Sequence, residues 1–328
     1  GQGHSISLIN FSLQTDDGLI LPATTISETY TPAQKNQLEK TEITAQSLDL
    51  RALANLAEHF PLTDEKRQIL LDFAPSGFVK NLSAKWQGAY PEVTSYNVKG
   101  EFTGLSLKAQ AARPAQVKTA KSPARAAVPA IPGFEHLTGR VEANDQGGII
   151  NLMSEKFTLH LPGYFSDPVR VFDQLNMRAS WAFQAKDLVL FEVGKMDFVQ
   201  EGLVASLSGK YVFPMTAQLE KSLGAIDMTA HINKLNLNHI GHYLPIQTPE
   251  ELRNWLTGAL RGGVAKDVDI KVKGDLAQFP FQVTSLRDKL NGQFSVLGKI
   301  ENGKLEYVPG SFGKEGNTPL WPLLEEVN

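Results

Sequence analysis

Leu82, Ala84 and Trp86 alternate with Ser83, Lys85 and Gln87, and the same every-second-residue pattern returns along the chain. Phe157, Leu159 and Leu161 flank Thr158 and His160; Leu203, Ala205 and Leu207 repeat it; Val268, Ile270 and Val272 sit between Asp267, Asp269, Lys271 and Lys273; Phe294 and Val296 continue it. Successive side chains of an extended strand point to opposite faces, so each of these segments has one apolar face and one wet face. Parallel strands covered on both sides read instead as unbroken apolar runs, so the pattern predicts an antiparallel sheet. Turn residues recur between the segments: Gly88, Gly100, Gly104, Gly147-Gly148, Gly274 and Asn291-Gly292. They predict short strands, and Asn302-Gly303 predicts a hairpin between Ile300 and Leu305.

Helical signals are few and fall in two places. Asp49 is placed to cap a helix whose stripe is Leu50, Leu53, Ala54, Ala57 and Phe60, stopping before Pro61; a second helix follows from Thr63 to Phe73. Leu237–Tyr243 reads as a shorter helix ending before Pro245. Thr248-Pro249-Glu250-Glu251 then predicts a helix with Thr248 as N-cap, Pro249 at the first helical position and Glu251 closing a capping box. Its expected buried stripe is Leu252, Trp255, Leu256, Ala259 and Leu260, and Gly262-Gly263 ends it. The two regions match in order: Leu48-Asp49-Leu50 with Leu235-Asn236-Leu237, His59-Phe60-Pro61 with His242-Tyr243-Leu244-Pro245, and Gly77-Phe78-Val79 with Gly262-Gly263-Val264. One helix–helix–strand unit therefore occurs twice, near 48–88 and 235–274. The expected organisation is a first β unit over 1–108 with a helical hairpin at about 49–73, a flexible Ala/Pro/Lys-rich loop over 109–130, and a second β unit over 131–328 with a hairpin at about 237–261. Lys108, Arg113, Lys118, Lys121 and Arg125 make that loop basic, which suits a surface linker or, less simply, an arm touching anionic headgroups.

The chain has 328 residues, 42% hydrophobic and 20% charged, enough for a large core and against wholesale disorder. Its net charge of −3 lacks the basic excess of a nucleic-acid binder. With no cysteine there is no disulfide, no thiol catalysis and no thiolate zinc site. Catalytic motifs are absent: no H-E-x-x-H, no G-x-S-x-G and no G-x-G-x-x-G, while Val264 takes the place a phosphate loop gives to lysine. His239 and His242 lie one helical turn apart without a third ligand at a suitable spacing, and Glu250 and Glu251 are accounted for by the helix start. The expectation is no catalytic residue, no metal and no cofactor. No apolar run is long enough to span a bilayer and no signal peptide is visible. The start, without an initiator Met, reads as a segment cut from a longer protein.

Asn238-His239-Ile240-Gly241-His242-Tyr243-Leu244-Pro245, then Leu252-Arg253-Asn254-Trp255-Leu256, then Ala259-Leu260-Arg261-Gly262-Gly263, resembles the recurring Y-L-P … L-x-x-W-L … A-L-x-G-G block of AsmA-like proteins of the YhdP type. Gly274-Asp275-Leu276-Ala277-Gln278-Phe279-Pro280-Phe281 is similar to the G-x-L-x-x-F-P-F that follows it there. Ile131-Pro132-Gly133-Phe134, Leu137-Thr138-Gly139-Arg140-Val141 and Trp321-Pro322-Leu323 resemble further blocks, so the likeness covers roughly 40–328. The resemblance implies a large protein of the Gram-negative envelope, anchored in the inner membrane by a helix outside this chain and extending through the periplasm. It implies a long twisted β-groove with an apolar interior and a part in moving phospholipid towards the outer membrane. The partners it implies are phospholipid acyl chains, both membranes through the full-length protein, and envelope proteins, with no nucleic acid. The expected fold is mainly β with few helices, an elongated, twisted antiparallel sheet forming an open hydrophobic groove. Leu82, Trp86, Phe157, Leu159, Leu203, Leu207, Val268, Ile270, Val272 and Phe294 are the candidate groove residues. Alternation alone leaves open a closed sandwich or barrel filled by the same side chains. It also leaves open a non-enzymatic protein-binding module that helps outer-membrane assembly, and a carbohydrate-active enzyme with paired carboxylates.

Overall fold

The computed structural model describes residues 2–16, 18–59, 63–89, 92–115, 127–185, 187–215, 223–246, 248–279, 281, 292–310 and 323–327. They form β1 (His4–Gln14), β2 (Ile20–Thr31), β3 (Lys40–Asp49), β4 (Ser76–Gln87), β5 (Ser95–Leu107), β6 (Gly133–Asn144), β7 (Gly147–His160), β8 (Val169–Gln184), β9 (Leu188–Gln200), β10 (Leu203–Pro214), β11 (Ala225–Asn236), β12 (Leu260–Asp275), β13 (Gly292–Glu306) and β14 (Leu323–Val327). The helices are α1 (Leu50–Leu56), α2 (Asp64–Phe73) and α3 (Glu250–Ala259), with 3-10 turns at Ala57–His59, Leu237–Tyr243 and Leu276–Gln278. No described helix is long and apolar enough to cross a membrane.

All described strands belong to one 14-stranded antiparallel sheet in strict chain order, β1 and β14 forming opposite edges, so the sheet is not closed. At about 4.8 Å per strand it extends roughly 60 Å across the strand order. β5 pairs with β6 across the Ala/Pro/Lys-rich loop, whose arms continue the ladder through bridges Gln110–Ile131 and Arg113–Val128. Lys118, Lys121 and Arg125 lie outside the described residues.

Most strands are longer than the turn signals predict, up to 16 residues in β8 and β12. Asn302-Gly303 does not make a hairpin. β13 runs through it, because Gly303 pairs with Val327 on one side and its backbone packs against Gly263 on the other. Asn302 has φ 52° and joins Asn10, Asn81, His136, Lys156 and Asp267 as non-glycine strand residues in the left-handed region. Gly104 takes the same role in β5, with φ 62°. Register shifts surround these residues, so they are β-bulges, which bend a strand and add twist. They fall towards the same ends of their strands, where the long connections lie, and so crease the sheet along one side.

The two helical hairpins occupy equivalent connections, β3–β4 and β11–β12. The caps are equivalent too: the Asp49 carboxylate accepts from the Ala52 amide and the Asn236 side chain from the Asn238 amide. The start of α3 differs from expectation. Pro249 is the N-cap, with φ −49° and ψ 137° and without a side-chain cap bond. Thr248 is drawn back into a turn, its N–H donating to Pro245 and its carbonyl accepting from the Arg253 guanidinium. The helical stripes are also less buried than their periodicity predicts: only Ala52 of α1 and Ala259 of α3 are buried, while Leu252 and Trp255 are 47% and 40% exposed. The helices sit at strand ends, where α1 and α3 touch the sheet, and no further described sheet layer packs above them, so most of their stripes face out.

Candidate functional site

Cross-strand pairing carries a face from strand to strand, because residues directly opposite point the same way. One row runs Val79–Phe102–Gly139–Leu152–Met177 across β4 to β8 and continues Met196–Leu207–Ala230–Ile270–Val296 to β13. Every residue in it is apolar or glycine. All ten predicted residues lie on this face. Leu207 and Ile270 are in that row; Val272 and Phe294 are opposite each other in the neighbouring row, which includes Ala179; Val268 shares a row with Ile232, Ala205, Phe198 and Leu175. Phe157 and Leu159 lie beyond the Lys156 bulge, opposite Phe172 and Arg170, and Leu203 pairs with Gln200. Leu82 and Trp86 lie further along, linked through Ala84–Val98–Ala143–Gly148.

Phe157, Leu203 and Val268 are buried, Leu82, Trp86, Leu159, Leu207, Ile270 and Val272 half-buried, and Phe294 is 48% exposed. The side chains cover one another along the face. Phe102, Leu152, Phe157, Phe172 and Leu175 form the main cluster, with Phe172 set between Phe157 and Phe198 at centroid distances of 5.7 and 5.6 Å. Leu237, Ala265 and Val268 form a second under the 3-10 turn. No described large side chain is below 2% exposure, which is what a single layer gives and a closed sandwich does not. Alternation missed Phe102, Phe172, Leu175 and Ala179 as members of this face. Their signal was interrupted where bulges change its phase.

The opposite face is charged. Glu42 meets Lys40 and Lys85 at 2.5 and 3.1 Å, Lys210 meets Glu192 at 3.4 Å, Lys273 meets Asp227 at 2.8 Å and His231 meets Asp269 at 2.8 Å. Hydrogen bonds from these lysines hold the Glu42 and Asp227 carboxyls below the usual carboxylate range. A hollow of about 730 Å³ is lined by polar groups such as Arg51, Glu135, His136 and His160 at the hairpin end of this other face, away from the apolar rows. His239 and His242 stack at 5.5 Å, and no cluster of three potential metal ligands occurs among the described residues.

At the hairpin end the apolar face is fastened over. Arg170, on that face and 8% exposed, donates from Nη2 to the His242 carbonyl and from Nη1 to the Val169 carbonyl at 3.2 Å, with its guanidinium 5.0 Å from the centre of the Phe165 ring. The Ile246 amide donates to the Tyr164 carbonyl at 2.9 Å. The second hairpin thus reaches back from β11–β12 to the β7–β8 connection. Tyr243 lies there, its hydroxyl pKa raised chiefly by burial and further by Glu201.

The family described as YhdP protein matches residues 1–328, the whole chain rather than 40 onwards. An intermembrane phospholipid transporter, YhdP of Escherichia coli (strain K12), is 23% identical over 199 residues, covering 60% of this chain. The match covers 14% of that relative, so the chain spans a small part of its length. No solved structure matches.

Proposed function

The chain belongs to the YhdP protein family, and from that premise we propose that it is a periplasmic stretch of an inner-membrane-anchored lipid-transfer bridge. In this reading the apolar face shields phospholipid acyl chains on their way to the outer membrane. The observation that carries it is the unclosed 14-stranded sheet with one face apolar from β4 to β13 and, among the described residues, no layer packed above it. Each methylene exposed to water costs about 0.8 kcal/mol, so a bare chain of about 16 carbons costs about 12 kcal/mol. A trough that covers half of it removes about half that barrier. No bond is made or broken: the segment works by lowering a transfer barrier, and heads held in solvent give weak headgroup selectivity.

A photo-crosslinking residue at Ile270 tests this in cells, with Lys271 as the control on the charged face. Lipid adducts at Ile270 well above those at Lys271 are expected. Equal or absent adducts at Ile270 would overturn the reading.

A further inference from the structure

The apolar face is not uniform from one rim to the other. At the ends of the strands away from the helical hairpins, pairing sets Tyr30 and Trp86 opposite Thr41, and Trp86 opposite Tyr96. Further along, Trp181 faces Phe191 and Phe191 faces Tyr211. These six aromatic residues are all half-buried. Gly148 leaves the room that the Trp181 ring fills, since a Cβ there would meet its six-membered ring. The Tyr30 hydroxyl donates to Glu39 Oε2 at 2.8 Å and the Tyr211 hydroxyl donates to the Leu223 carbonyl at 2.5 Å, so their polar tips point towards the turns. The middle of the face is aliphatic and sulfur-bearing: Ala179, Met177, Leu175, Met196 and Leu207. The other rim is fastened by Arg170 and covered by Leu237.

Tyrosine and tryptophan have an apolar body and a polar edge, and they favour positions where an apolar phase meets water. We infer that the aromatic row is a headgroup-level belt: a bound two-chain phospholipid has its glycerol and phosphate at the rim away from the hairpins, and its chains run from there along the strands towards the hairpins. This rests on the groove reading above and adds an orientation to it. The dimensions agree. An acyl chain of roughly 20 Å corresponds to about six strand residues at 3.3 Å each. Measured from Trp181, that ends at Leu175, in the main apolar cluster. A head placed at the hairpin rim would instead meet the fastened segment.

The test uses the 328-residue chain with a single tryptophan, Trp86 or Trp181, the others replaced by Phe, loaded with phospholipid carrying a nitroxide either at the headgroup or near the chain end. Headgroup-labelled lipid is expected to quench both tryptophans at least twofold more than chain-end-labelled lipid. The reverse order, or no quenching by lipid that co-elutes with the protein, overturns the belt and leaves the groove reading standing. Failure of every labelled lipid to co-elute overturns the groove reading itself. Should the single-tryptophan chains not melt cooperatively, the absence of native cysteine allows the same ordering to be read from a thiol fluorophore at Gln146→Cys, on the rim away from the hairpins, against Asp167→Cys, on the other. Stronger headgroup quenching at Gln146→Cys supports the belt, and stronger quenching at Asp167→Cys overturns it.

Discussion

Replacing Arg170 with Met should release the second hairpin while leaving the sheet intact. The side chain of Arg170 is 9% exposed, and its Nη2 donates to the carbonyl of His242, a residue 72 positions away. Its ion pair with Asp167 adds little, because Asp167 is 64% exposed and the separation is 3.4 Å. The bond to His242 is charge-assisted, and such bonds contribute roughly 1.5–3 kcal/mol net. Taking about 2 kcal/mol, the opening equilibrium of the docked segment should rise about 30-fold. The Ile246 amide, bonded to the Tyr164 carbonyl at 2.9 Å, reports this opening directly. Hydrogen exchange at Ile246 should accelerate about 30-fold in Arg170→Met, whereas amides in the middle of β8 and β9 should change little. Arg170→Lys should fall between, since an ammonium keeps the charge but lacks the planar fork that reaches separate acceptors. Unchanged exchange at Ile246 in a folded Arg170→Met chain would refute the fastening role.

Phe172→Ala removes the ring between Phe157 and Phe198 and should cost about 3 kcal/mol, the low end for Phe because the open face can relax, read as a lower urea midpoint. Lys156→Gly relieves a left-handed backbone at φ 51° and should stabilise by about 0.5–1 kcal/mol, whereas Lys156→Val should destabilise; chemical denaturation distinguishes them. Lys273 lowers the Asp227 pKa chiefly by hydrogen bonding, so the pair's contribution is complete above the ordinary value near 3.8 and is lost as pH falls through the lower folded value. As a surface pair it is worth about 0.5 kcal/mol, so Lys273→Met should melt about 1–2 °C lower at pH 6, and the difference should vanish near pH 2.

The faces of this sheet were legible because side-chain direction in a strand depends only on parity, and antiparallel pairing preserves it from strand to strand. That is why residues as distant as Trp86 and Phe294 share a face. The first helical hairpin was legible from local chemistry, since Asp49 caps as its side chain allows, whereas the cap expected at Thr248 falls to Pro249. Burial was less legible. Leu252 and Trp255 have helical spacing, but spacing says which residues share a side, not whether anything covers it; Trp255 instead donates its indole N–H to the Tyr307 carbonyl at 3.1 Å.

Strand length was the hardest quantity to read, for a reason that also explains the shape. A turn and a bulge make the same local demand, a residue that tolerates positive φ, so Asn302-Gly303 satisfies either. What separates them is whether the chain on both sides finds partners to continue the ladder, and those partners, Val327 and Gly263, are distant in sequence. The same holds at Asn81 and Lys156, where the phase of alternation slips by one and a long strand reads as two short ones. A chain with uniform alternation would have been easier to read and would have lacked the creased side. The irregularities that concealed the strand lengths are those that let strands of up to 16 residues curve around an apolar face.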